Sequence, residues 1–166
     1  MKKELKIFAT ASCLNDIGAD AIRPFWPTLV LSLGAPMYFL GFLDGLGDAI
    51  SNSIRFPAGY LSDKLRKRKP FIWLGYSLAA LARIGYALSH FFLLLIPFKI
   101  MDRMGKLRDP PRDAMLSDIT KKRARGKAFG ILTAADNFGA TLGPIFGLLL
   151  ILFVSFRQLF MLAAIP

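Results

Sequence analysis

The sequence predicts an all-α integral membrane protein, a bundle of five complete transmembrane helices followed by the start of a sixth. Three observations predict it: 54% of the 166 residues are hydrophobic with a mean hydropathy of +0.46, two long uncharged runs occur, and basic residues are clustered. A small soluble module that binds nucleic acid would explain the net charge of +11 but not the apolar composition. We therefore expect a lipid bilayer as partner and no nucleic acid.

The spans follow from the uncharged runs at 24–43 and 137–156 and from the breakers within them. Pro24, Pro27 and the Gly34-Ala35-Pro36 sequence divide the first run between two helices joined by a tight turn. The predicted spans are 7–33, 36–61, 70–89, 91–116 and 127–153, with a partial sixth at 158–166. That last segment would rise only about 13 Å as a helix, against a hydrocarbon core of about 30 Å, so we expect a sixth helix that is cut off.

Basic residues give the orientation. Of the 22 Lys and Arg residues, three lie at the N-terminus, five in 64–69 and nine in 103–127. Cytoplasmic loops carry the excess of positive charge in membrane proteins. The sequence therefore predicts a multi-pass protein of the cell membrane with a cytoplasmic N-terminus, in which the positive charge also attracts anionic lipid.

Ionisable residues recur inside the predicted spans, although each costs about 2.5 to 3.5 kcal/mol at the centre of a membrane helix. In the first span, Asp16, Asp20 and Arg23 share one helical face. With the inner end of the fourth span counted on the cytoplasmic side, six acids and six bases lie at membrane depth: Asp16, Asp20, Asp44, Asp48, Asp102, Asp136, Arg23, Arg55, Arg83, Lys99, Arg103 and Lys106. Such balanced stripes suit helices around a wet cavity, and the alternative is ion pairs that hold the helices together.

We predict that a subset of these residues forms a solute and proton pathway. Asp44 and Lys106 are the weakest candidates, since they lie furthest from the expected midplane. The predicted pathway consists of Asp16, Asp20, Arg23, Asp48, Arg55, Arg83, Asp102, Arg103 and Asp136.

The segment 59–71 reads GYLSDKLRKRKPF and connects the second and third spans. It resembles the signature loop GxLaDrxGrkxxl of the major facilitator superfamily, which implies a cytoplasmic gate between the two halves of a transporter. Arg66 stands where the family has its second glycine. The matching gate residues are Gly59, Asp63, Lys64, Lys67 and Arg68, together with Leu61.

The fifth span contains GATLGPIFG, which resembles the GxxxGPxxG motif found in many exporters of that superfamily that exchange substrate for protons. Glycines allow close helix packing, and proline removes one backbone donor and bends the helix, which suits a hinge. Plain helix packing is the alternative interpretation. The matching residues are Gly139, Gly143, Pro144 and Gly147.

A third stretch, DRMGKLRDPPRDAMLSD at 102–118 with RARGKAFG at 123–130, is similar to the fourth helix and following loop of bacterial and archaeal members. One glycine after Lys106 is missing from the usual pattern. The resemblance places Arg103 at an arginine often linked to proton movement. It implies that 1–166 is the N-terminal half of a twelve-helix transporter, with a second six-helix half, missing or docked, as partner.

An enzyme is not expected, since the sequence has no GxxxxGK[ST], HExxH or GxSxG motif. Cys13 and His90 are single, so neither a metal site nor a cofactor is expected. Without an ATP site, transport would be secondary. The resemblance of the fifth-span motif implies proton-coupled efflux of small amphipathic solutes, and our hypothesis assigns Asp16, Asp20 and Arg103 to the coupling cluster. Two alternatives are an uptake permease for an anionic metabolite and a non-transporting membrane fragment or subunit.

Overall fold

The computed structural model describes the backbone of residues 3–165, and the side chains of all of these except residues 3, 4 and 6. Within that range the secondary structure is helical and contains no strand, as predicted. Lys2 of the N-terminal basic cluster and Pro166 of the partial sixth span lie outside the described residues. The helices are α1 (Lys3–Ala21), α2 (Trp26–Ser32), α3 (Met37–Leu65), α4 (Lys69–Leu88), α5 (Leu95–Met104), α6 (Asp109–Ile119), α7 (Arg125–Leu150) and α8 (Phe156–Leu162).

The first predicted span is not one continuous helix. α1 ends at Ala21, a 3-10 turn occupies Arg23–Phe25, and α2 follows. Pro24 and Pro27 lack the N–H group that a continuing α-helix needs, and Pro24 also disfavours the helical conformation of the residue before it. Pro27 lies in the first turn of α2, where no backbone donor is needed.

The predicted break at 34–36 is confirmed. Gly34 has a φ of +79°, and its N–H donates to the carbonyl oxygen of Leu31 at 3.0 Å. α3 begins at Met37 directly after Pro36, whose backbone is extended with a ψ of 156°. α3 continues to Leu65, four residues beyond the predicted end at 61.

The fourth predicted span is likewise divided. α5 is followed by a 3-10 turn, Gly105–Arg108, and then by α6. Pro110 and Pro111 donate no backbone hydrogen bond, so they cannot continue α5, but both fit the first turn of a new helix. α8 begins at Phe156 rather than Gln158, because Ser155 caps the helix. The backbone N–H of Ser155 donates to Oε1 of Gln158 at 2.8 Å.

The chain divides into two compact units. The first unit comprises the residues up to Pro24 together with those from Arg112 onward. α1 packs along α7 in this unit, and its buried core includes Leu5, Leu116 and Leu132. The second unit is Phe25–Pro111, in which α5 packs against both α3 and α4.

Within the described residues, α4 is the one helix that is long and apolar enough to cross a membrane on those two criteria alone. Its most apolar stretch has a mean hydropathy of 1.4. The other predicted spans contain charged side chains or are divided by breaks in the helix.

Candidate functional site

In the first unit, the glycines of the fifth-span motif lie directly against the backbone of α1. A Cβ on Gly139 would lie 2.5 Å from the carbonyl oxygen of Cys13. A Cβ on Gly147 would lie closer still to the carbonyl oxygen of Ala21, and a Cβ on Gly143 would lie 2.8 Å from the Cβ of Asp20. These glycines therefore form a packing surface, and α7 continues through Pro144 to its end at Leu150.

Asp16 and Asp20 lie on the face of α1 that meets this surface. A Cβ on Gly139 would lie 3.1 Å from the Cβ of Asp16. Asp16 accepts a hydrogen bond from Nδ2 of Asn15 at 3.1 Å, and Asp20 forms an ion pair of 3.3 Å with the exposed Arg23. Both carboxylates belong to the first unit and Arg103 belongs to the second. The predicted cluster of these three residues stays a prediction.

Arg112 is the centre of a polar cluster that the sequence did not single out, because it was counted with the basic residues of 103–127. Its side chain is 11% exposed. Nη2 lies 3.4 Å from Oδ2 of Asp136, Nε lies 3.3 Å from Oδ1 of Asp113, and Nη1 donates to Oγ of Ser12. The arginine therefore joins α6 to α1 and α7 within the first unit.

The second unit contains a short ion pair between Lys99 on α5 and Asp44 on α3. Nζ of Lys99 lies 2.8 Å from Oδ1 of Asp44, and Nε1 of Trp26 donates to the same oxygen at 3.1 Å. Nζ also lies 4.0 Å from the centroid of the Trp26 ring. We name Trp26, Asp44 and Lys99 the Lys99 cluster. Asp44, one of the two weakest candidates from the sequence, is thus the partner of a buried lysine.

Gly47 allows α5 to approach α3 beside this cluster. A Cβ at Gly47 would lie 3.0 Å from Cε of Lys99 and 3.1 Å from Nε of Arg103. Nε of Arg103 also lies 3.7 Å from Oδ2 of the adjacent Asp102. Arg103 and Lys99, one turn apart on α5, therefore face the same glycine.

The contact of α3 with the start of α6 involves two further predicted residues. Nη2 of Arg55 lies 3.3 Å from Oδ2 of Asp109. A Cβ on Gly59 would lie 3.3 Å from Cβ of Pro110. The predicted pathway residue Arg55 and the predicted gate residue Gly59 thus both contact the segment that follows α5.

Two other predicted pathway residues differ in burial. Asp48 on α3 is exposed, whereas Arg83 on α4 is 3% exposed.

Among the described side chains, no group of three or more His, Cys, Asp or Glu residues is placed to hold a metal ion.

The predicted gate loop forms a left-handed turn. Arg66 has a φ of 51° and caps α3, and its N–H donates to the carbonyl oxygen of Asp63 at 3.2 Å. Nη2 of Arg68 lies 3.2 Å from Oδ1 of Asp63. Arg66 therefore adopts a left-handed conformation that glycine would adopt without strain. The exposed side chains of this loop include Lys64 and Lys67.

Comparisons with known proteins agree with this architecture. A TM-score of 0.74 relates the chain to the crystal structure of the human organic anion transporter MFSD10, at 20% identity over 99% of this chain and 46% of that one. An uncharacterized MFS-type transporter of Methanocaldococcus jannaschii is 39% identical over 99% of this chain and 42% of its own length. The quinolone resistance protein NorA of Staphylococcus aureus is 29% identical over 87% of this chain and 37% of its own length.

The chain thus spans less than half the length of these proteins. Residues 8–166 match the family model of the Major Facilitator Superfamily. The chain therefore belongs to the major facilitator superfamily, whose members are membrane transporters and not enzymes.

Proposed function

We propose that the chain acts as one six-helix half of a secondary transporter that exports small amphipathic solutes in exchange for protons. The observation that carries this proposal is the similarity of 87% of the chain to a protein named for resistance to quinolones. The phosphate-binding motif GxxxxGK[ST] does not occur in the sequence, and the proposed energy source is an ion gradient.

The proposed proton carriers are Asp16 and Asp20. Their position at the contact of α1 with the glycines of α7 supports this role, because a movement between these helices would change the surroundings of both carboxylates. A carboxylate that loses a cationic partner or enters less polar surroundings takes up a proton. Arg103 is the proposed cationic partner, and its approach to Asp16 and Asp20 is part of the proposal.

The proposed inner gate is the loop around the Asp63–Arg68 ion pair. Alternating access in such carriers requires two six-helix halves that move against each other around a central site. The proposal therefore includes a second half as partner. It also includes a cytoplasmic N-terminus in the cell membrane, which the basic clusters at 64–69 and 103–127 support.

The test is solute accumulation in inverted membrane vesicles that contain the complete carrier. An imposed proton gradient, acidic inside, should drive accumulation of ethidium or of 2-naphthalenesulfonate, two amphipathic probes that stay charged. Nigericin, which removes the pH gradient, should abolish the accumulation. Accumulation of neither probe, or accumulation that survives nigericin, would contradict proton-coupled export.

Variants then test the assigned residues. Asp16→Asn combined with Asp20→Asn should abolish the gradient-driven accumulation, because an amide does not exchange a proton. Asp118→Asn, the same substitution at an exposed carboxylate outside the proposed pathway, is the matched control and should retain it. Full accumulation by the Asp16 and Asp20 variant would remove both residues from the proton pathway.

A further inference from the structure

The ion pair of the Lys99 cluster is strongly asymmetric in burial. The side chain of Lys99 is 3% exposed, whereas that of Asp44 is 50% exposed. A buried ammonium group needs an anionic or polar partner, whereas a half-exposed carboxylate can be solvated by water instead. Asp44 is therefore the member of the pair that water can solvate, whereas Lys99 and the indole N–H of Trp26 are the buried donors that an incoming group must satisfy.

The surroundings of Lys99 hold the lysine in place. The ring of Trp26 covers its Nζ at 4.0 Å, which is the geometry of a cation–π contact. Its Cε lies against Gly47, where a Cβ would be only 3.0 Å away. Neither of these contacts of Lys99 involves Asp44.

The charges and walls near this position suit an aromatic anion. Arg103 lies one turn along α5 and faces the same glycine as Lys99, and its Nε lies 3.7 Å from Oδ2 of Asp102. The rings of Trp26 and Tyr86, both buried, have centroids 4.9 Å apart and form an aromatic wall beside Lys99. A carboxylate on a flat apolar body would combine a charge-assisted hydrogen bond with contacts to these rings.

We propose that Lys99 binds the carboxylate group of an aromatic acid, and that Asp44 occupies this position when no solute is bound. The inference rests on the proposed transport function and specifies the anionic group of its solute. Binding is an exchange of one carboxylate for another at the same ammonium group. Asp44 acts as an internal competitor that keeps Lys99 satisfied in the empty carrier.

The test is calorimetric titration of the carrier purified in detergent with 1-naphthoate and with its neutral analogue 1-naphthamide. The wild type should bind the naphthoate at least about tenfold more tightly, the effect of one charge-assisted hydrogen bond. Asp44→Asn removes the competitor and should raise the affinity for naphthoate by about tenfold. Lys99→Gln should lower it by about tenfold or more, and neither variant should change the affinity for naphthamide.

The opposite signs of the two effects distinguish this inference from a purely structural ion pair, whose loss would weaken binding in both variants. Lys122→Gln, at an exposed lysine of the loop before α7, is the matched control and should bind like the wild type. If Lys99→Gln does not yield monodisperse protein, the naphthoate affinity of Asp44→Asn is the test of the inference. Unchanged or weaker naphthoate binding in Asp44→Asn overturns the inference.

The binding assay needs no gradient, so the two proposals can fail separately. If Asp44→Asn raises and Lys99→Gln lowers the affinity for naphthoate, but no proton-driven accumulation occurs, the carboxylate site is supported and the proton coupling is rejected. If the carrier accumulates solute but binds 1-naphthoate and 1-naphthamide equally, the transport function is supported and the carboxylate site is rejected.

Discussion

A Cβ on Gly139 would lie 2.5 Å from the carbonyl oxygen of Cys13, so the backbones of α7 and α1 touch where this residue has no side chain. Gly143 and Gly147 repeat the contact at successive turns. The stability of the first unit therefore depends on the absence of three methyl groups.

Gly139→Ala should destabilise the protein by about 1 to 3 kcal/mol, because the added methyl group meets backbone atoms that cannot rotate away. Thermal unfolding in detergent measures the effect as a lower midpoint. Gly130→Ala is the matched control in the same helix, since a Cβ there would have no heavy atom within 4 Å. It should leave the midpoint unchanged or raise it, because alanine favours helix more than glycine. Equal midpoints for both variants would contradict the packing role of Gly139.

Arg66→Gly should stabilise the protein by about 1 kcal/mol, because a residue with a Cβ pays that much to adopt the left-handed conformation seen here at a φ of 51°. Chemical unfolding in detergent would measure the difference. Lys67→Gly removes the same charge from the neighbouring exposed position, where the φ is not positive, and should give no gain. A gain of similar size in both variants would assign the effect to charge and not to backbone strain.

The Arg112–Asp136 and Arg68–Asp63 pairs have similar distances, 3.4 and 3.2 Å, but different exposure. Arg112 is 11% and Asp136 25% exposed, whereas Asp63 is 62% exposed. A double-mutant cycle with Arg112→Gln and Asp136→Asn should give a coupling free energy of about 1 to 3 kcal/mol. The same cycle on the exposed pair should give less than about 1 kcal/mol.

The two pairs differ in burial and in the further contacts that Arg112 makes with Asp113 and Ser12. Equal coupling free energies would show that Arg112 does not join α6 to α1 and α7 more strongly than a surface ion pair. Arg112→Lys extends the test, because lysine keeps the charge but cannot reach Asp136, Asp113 and Ser12 with a planar fork. It should recover less than half of the stability that Arg112→Gln loses.

Local features of the fold were accessible from the sequence. The turn at Gly34 was predicted because glycine and proline act on their immediate neighbours. Other prolines mark the divisions that we did not predict, at Pro24 and at Pro110 and Pro111. There the hydropathy pattern runs on across the break, so it gave one span where the backbone forms two helices.

The polar contacts were less accessible, because they depend on which helix faces meet. The spacing of Lys99 and Asp102 indicates a face of one helix, but nothing in it names Asp44, 55 residues away, as the partner of Lys99. Arg112 could not be distinguished from the other basic residues of its segment, because a count of basic residues does not show which of their side chains are buried. Trp26 carried no signal of its contact with a lysine.

The most direct test of proton-coupled transport is the reciprocal flux, because coupling between two ligands acts in both directions. Proteoliposomes containing the complete carrier, loaded with the probe that vesicles accumulate and with a pH-sensitive dye, would be diluted into probe-free buffer at equal pH. Outward flow of the probe should drive protons inward and acidify the interior, and the variant carrying Asp16→Asn and Asp20→Asn should show no acidification. Probe efflux from the wild type without a change of internal pH would contradict the coupling.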